Sequence, residues 1–191
     1  MGLFGKRKIE GDELLTYLDY IGEEWKLRAF QEKEANLYTE ALDSYKPQKG
    51  TKDVEGLKDL YVAANRLAQS AVELLRRKDA LKSVPDKATS LFFAWHAAYT
   101  DYLGWVVAQV DAIEAKIAGE APDAAKVEGL RTKSEGSSAE AESEQQKLLK
   151  QLGLTQGDID QLHDRATQAA AEDRWRPRTV TYKPKKELPR R

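Results

Sequence analysis

Between Leu57 and Leu81 apolar residues recur at alternating steps of three and four: Leu57, Leu60, Ala64, Leu67, Ala71, Leu74 and, after Lys78, Leu81. A helix of 3.6 residues per turn places these positions on one stripe, whereas a strand would scatter them over both faces. Such a stripe needs other helices to bury it. Alanine at Ala64 and Ala71 lets a neighbour approach closely, as in antiparallel packing. Nowhere does the chain carry the continuous apolar run of a central strand. The expected fold is therefore all-α: an elongated antiparallel bundle of four to five long helices, with an extended basic C-terminal arm.

The remaining helices follow from spacing and punctuation. A first helix is expected from about Asp12 to Tyr45, with Leu14, Leu18, Ile21 and Trp25 inward and Leu37, Ala41 and Tyr45 resuming the stripe after a polar stretch; Pro47 stops it. Thr51 or Asp53 caps the second. The third runs from about Asp86 to Ala118 and is central, because Phe92, Trp95, Tyr99, Tyr102, Val106 and Ile113 mark one stripe while Leu91, Ala98 and Trp105 mark another. Gly119 closes it and Pro122 opens a fourth helix. There Val127, Leu130, Ala141, Leu148 and Leu152 keep helical spacing around "TKSEGSSAEAESEQQK". That stretch fits either one thinly packed helix or two joined near Gly136. Gly153 signals a left-handed stop, Thr155 and Asp158 a capping box, and a last helix from about Gln156 to Arg174 with Ile159, Leu162, Ala166 and Ala169 inward. The organisation read from these breaks is a basic N-terminal arm (1–9), a three-helix core (10–119), an additional helix or helical hairpin (120–174) and the C-terminal arm (175–191).

The near-neutral net charge of −1 conceals a segregation. Of the 31 basic residues, eight lie from Arg174 onward and three are Lys6, Arg7 and Lys8. Those from Arg174 onward meet one acid, Glu187. The segment between these ends keeps 20 basic against 31 acidic residues. Such a pattern bears on partners rather than on fold. No cysteine is present, which excludes disulfides and thiolate chemistry. No signal-peptide core follows the first cations, and no stretch reaches the roughly 18 apolar residues of a membrane span. The expected location is cytoplasmic or particle-associated, without secretion by a signal peptide. Residues 1–8 can make at most weak contact with a membrane surface.

Catalytic and metal residues are expected to be none, and cofactors none. His96 and His163 are the only histidines. No Glu-x-x-His unit, phosphate loop, G-x-S-x-G or H-E-x-x-H occurs. His96 fits a core or interhelical hydrogen bond and His163 the surface. The aromatics Phe92, Phe93, Trp95, Tyr99, Tyr102 and Trp105 fit a core better than a ligand cavity.

What remains is the arm "RWRPRTVTYKPKKELPRR". Pro177, Pro184 and Pro189 forbid a helix, and too little apolar surface is present for a core of its own, so the segment is expected to be extended and ordered by another molecule. "TVTY" alternates like a strand with Val180 and Tyr182 on one side. The expected partner-binding residues are Trp175, Arg176, Arg178, Val180, Tyr182, Lys183, Lys185, Lys186, Arg190 and Arg191. Three targets fit them. The arm can add to a partner protein as a strand, with Val180 and Tyr182 filling pockets. It can lie along nucleic-acid phosphates. Or it can neutralise the acidic bundle of its own or a neighbouring copy. The function expected is that of a non-enzymatic structural or adaptor subunit of a larger assembly, such as a virion or other particle, docking through this arm on a protein or on copies of itself. The alternative is a nucleic-acid-associated protein using the same arm.

Overall fold

The computed structural model describes residues 9, 11–46 and 53–183. The arm cations Lys185, Lys186, Arg190 and Arg191, the N-terminal arm 1–8 and the cap candidate Thr51 lie outside them. Among the described residues five helices account for the fold: α1 (Asp12–Ser44), α2 (Val54–Asp79), α3 (Thr89–Ala118), entered through a 3₁₀ turn at Asp86–Ala88, α4 (Ala124–Leu152) and α5 (Gln156–Ala171). At 1.5 Å per residue the first four are about 40–50 Å long and α5 about half that.

Sequence punctuation sets the ends. Asp53 accepts from the Gly56 amide at 2.9 Å and Asp123 from the Lys126 amide at 2.9 Å, each supplying an acceptor to a first turn that has none. Gly153 sits at φ 69°, its amide donating to the Lys150 carbonyl while Leu154 donates to that of Leu149. This is the Schellman closure expected there, and Gly119 repeats it at φ 80°. Thr155 and Asp158 form the reciprocal capping box.

Consecutive helices from α1 to α4 run antiparallel, and pairs across them fix the register. Glu34 meets Arg66 and Glu24 meets Lys78 between α1 and α2. Tyr61 meets Glu114, and Asp79 meets His96, between α2 and α3. Asp101 meets Lys133 and Ser137, and Asp111 meets Lys126, between α3 and α4. The core has two parts. At one end Tyr17, Ile21 and Trp25 of α1 pack with Leu74, Leu91, Trp95, Tyr99, Leu148, Leu149 and Ala166, drawing on all five helices. At the other, Tyr38, Leu60, Ala64, Leu67, Ala71, Tyr102, Val106 and Ile113 unite α1, α2 and α3. Ala64 and Ala71 are fully buried, as close approach requires.

Two expectations change and one open alternative is decided. The inner stripe of α1 is Tyr17, Tyr20, Ile21, Glu24, Trp25, Leu27, Phe30, Glu34 and Tyr38, with Leu37 outside and Leu14 and Leu18 half-buried. Two glutamates therefore occupy interior positions that an apolar pattern skips. α4 is one continuous helix through Gly136. Its small residues suit a close approach to α3, where Ser134 is buried and the Ser137 hydroxyl donates to Asp101 at 2.5 Å. Finally, α5 ends at Ala171 rather than Arg174, because the Asp173 carboxylate accepts from the Trp175 amide at 2.8 Å and from Arg77, turning the chain onto α2.

Candidate interaction site: the C-terminal strap and its groove

The described part of the arm lies along its own helices. Asp173 is held by Arg77, near the C-terminal end of α2; the backbone of Arg178 meets Gln69; and the Tyr182 ring stands edge-on to Tyr61 at 5.3 Å. Arg77, Gln69 and Tyr61 succeed one another by eight residues, about 12 Å of helix. The matching arm positions are four or five residues apart, about 13–16 Å of extended chain. The two lengths agree. An extended strap thus runs antiparallel to α2.

Its first anchor is aromatic and ionic. Trp175 packs on the five-helix end of the core, edge-on to Phe30 at 5.5 Å. The Arg77 guanidinium lies 4.5 Å over the opposite partner, the Phe30 ring, and bonds both Asp173 and Glu73. These hydrogen bonds hold the Asp173 carboxyl below the ordinary carboxylate range, while Arg76, with Arg77, brings Glu73 to about 2. Lys33 adds a bond to the Ala170 carbonyl at 3.1 Å. The second anchor is a side-chain amide acting as a strand: Gln69 accepts from the Arg178 amide at 2.7 Å and donates to the Arg178 carbonyl at 3.1 Å. Two bonds to one residue are what a hydrogen-bonded strand pair exchanges.

Exposure along the strap alternates. Asp173, Trp175, Pro177, Val180 and Tyr182 are half-buried, while Arg174, Arg176, Arg178, Thr179, Thr181 and Lys183 are exposed. Sequence spacing foresaw the shared face of Val180 and Tyr182. That face meets the chain's own bundle, so Trp175, Val180 and Tyr182 are internal contacts here rather than pocket-fillers for another molecule. The expectation that the whole arm takes its shape from a second molecule is corrected for residues 173–183: α1 and α2 supply the surface. The cations Arg176, Arg178 and Lys183 face solvent, and no carboxylate among the described residues pairs with them.

Beneath the strap's first anchor lies a polar cluster that spacing rules did not single out. Lys78 and Glu24 are fully buried and bonded to each other, and Glu24 also accepts from the Tyr20 hydroxyl. The ammonium is boxed by Phe92, 4.2 Å from its centroid, and Tyr20 at 5.9 Å. Burial pushes the Glu24 carboxyl up and the Lys78 ammonium down, with the partner opposing each shift. Burial likewise raises Tyr99 and Tyr20. Lys78 stands four residues after Leu74, on the heptad stripe itself. The signal was present in the spacing and masked by the residue's charge.

Other candidates resolve simply. Among the described residues no three His, Cys, Asp or Glu are placed to hold a metal ion. His96 makes the interhelical contact expected of it, 3.2 Å from Asp79, and His163 is exposed, edge-on to Trp25 at 6.1 Å. Trp95, Tyr99 and Tyr102 are core, Phe93 is exposed, and Tyr102 and Trp105 border an open groove of about 500 Å³ against Ser134 and Ser138 of α4. No helix among the described residues is long and apolar enough to cross a membrane. No protein-family model, curated protein or solved structure matches the chain.

Proposed function

We propose that this chain is a non-enzymatic structural or adaptor component of a larger assembly, and that it docks through the outward, cationic side of its C-terminal strap. The observation that carries this reading is the alternation along 173–183, which gives the apolar side to the chain's own helices and leaves Arg176, Arg178 and Lys183 outward with no carboxylate partner among the described residues. A flexible basic tail would lose conformational entropy on docking, whereas a strap already laid against α2 has lost most of it on folding. The sequence beyond Tyr182 continues the charge, with five basic residues against Glu187. The partner is a surface of opposite charge on a protein, for which complementarity sets encounter rate and orientation. Reversing Arg176, Arg178 and Lys183 to Glu should leave helicity unchanged, because these side chains face water. The reversed chain should sediment as a free monomer in an extract of its native source, where the unaltered chain sediments in a complex. Co-sedimentation of the reversed chain with that complex would overturn the proposal.

A further inference from the structure

From Thr179 to Lys183 the strap has the properties of an unpaired strand. Side chains alternate, with Val180 and Tyr182 inward and Thr179, Thr181 and Lys183 outward. Thr, Val and Tyr are residues that favour a pleated backbone. Neither the N–H nor the C=O of any of these five residues is hydrogen-bonded to a described residue. One position earlier the backbone is read in the two-bond manner of a strand pair, by Gln69 at Arg178. An extended segment clamped by one face and open along its length is a template for another strand.

We infer that the strap from Thr179 to Lys183 is an open β-edge that pairs with an extended acidic peptide segment of a partner protein. Resting on the assembly reading above, this names the chemistry of the partner. Acidity follows from Arg176, Arg178 and Lys183, which flank the free backbone and have no carboxylate of their own among the described residues. Extension follows from the row of amides and carbonyls that no described residue meets, which a helix or a compact loop cannot satisfy because its own backbone groups are already bonded. Pro177 and Pro184 bracket the segment, and neither has an N–H to give. The pairing stretch is therefore short, about four to five residues, and suits a reversible contact.

The test uses the full chain and fluorescence anisotropy with three probes: a fluorescein-labelled heptapeptide alternating Glu and Val, the same peptide N-methylated at its valines, and a fluorescein-labelled oligothymidylate of twenty nucleotides. The first should bind, and N-methylation, which removes backbone donors without touching charge, should weaken binding at least tenfold. Thr181→Pro should weaken it similarly, while the methylated probe gives the same information without altering the protein. Equal affinity for both peptides, or no binding of either, would overturn the β-edge; the assembly reading falls separately, if the charge-reversed chain still enters its complex. Tighter binding of the oligothymidylate than of the unmethylated peptide would overturn the assignment to a protein partner.

Discussion

α2 carries two seams that share a helix and little else. On its inner side Leu57, Leu60, Ala64, Leu67, Ala71, Leu74 and Lys78 follow steps of three and four and are all buried. On its outer side Tyr61, Gln69 and Arg77 follow steps of eight and hold the strap through a ring edge, an amide and a guanidinium. The inner seam removes apolar area from water, at about 25 cal/mol per Å², and is costly to open. The outer seam consists of exposed or half-exposed polar bonds whose net worth is about 0.5–1.5 kcal/mol each. One seam specifies the fold. The other places a segment on it, and perturbations should separate the two.

The largest effect belongs to the inner seam's one charge. Lys78→Ala leaves Glu24 buried with only the Tyr20 hydroxyl, and should cost about 3–5 kcal/mol in chemical denaturation. Lys78→Met combined with Glu24→Gln keeps an acceptor for Tyr20 and removes both charges. It should lie within about 1–2 kcal/mol of the unaltered chain, since a buried pair exchanged for neutral groups of similar shape is often tolerated. A single substitution no costlier than the double would mean that the pair is not buried as described.

Next comes the joint between the seams. Trp175→Ala removes a half-buried ring from the edge of Phe30 and should cost about 1–3 kcal/mol, less than the 3–5 of a fully buried aromatic. Removing residues 175–191 should cost at least as much. A tail ordered only by a partner would leave stability unchanged on deletion, so the same denaturation curve also tests whether Trp175 is internal.

Acid should loosen the joint. Asp173 and Glu73 are both held below their ordinary values by arginine hydrogen bonds. A carboxylate whose folded pKa is depressed stabilises fully above its unfolded pKa, near 4, and loses that contribution as pH falls through the folded value. For Glu73 that value is about 2. The strap, held through Asp173, should therefore stay in place at pH 5 and be released progressively as pH falls below about 4, read as increasing quenchability of Trp175. Asp173→Asn should flatten that response. Identical protection of Trp175 at pH 5 and pH 2 would show that these ion pairs do not hold the strap.

What the sequence made legible divides along the same line. Periodicity and caps located the helices, leaving open whether the fourth is one or two, because apolar stripes and a Gly, Pro, Asp or Thr near most ends are local signals. The inner face of α1 was misread because Glu24 and Glu34 hold interior positions by pairing with Lys78 and Arg66, partners far away in sequence. The strap's alternation could be read at Val180 and Tyr182, but not its docking surface. Tyr61, Gln69 and Arg77 lie about 100 residues or more before their partners and follow no helical apolar period. Contacts that need few residues leave little trace in composition.

The smallest effect isolates the outer seam. Gln69→Ala deletes both bonds to the Arg178 backbone, yet donor and acceptor are exposed and water replaces them. The melting temperature should therefore change by no more than about 1–3 °C, as for most surface substitutions. Local opening is a different quantity. Hydrogen exchange at the Arg178 amide depends on the free energy of lifting the strap, so losing the two bonds should speed it about tenfold while amides of the inner seam, such as that of Leu67, keep their protection. Equal acceleration at Arg178 and Leu67 would mean that strap and bundle open as one unit, and α2 would then have a single seam. Acceleration confined to Arg178 would establish that the strap can move while the helices behind it stay closed.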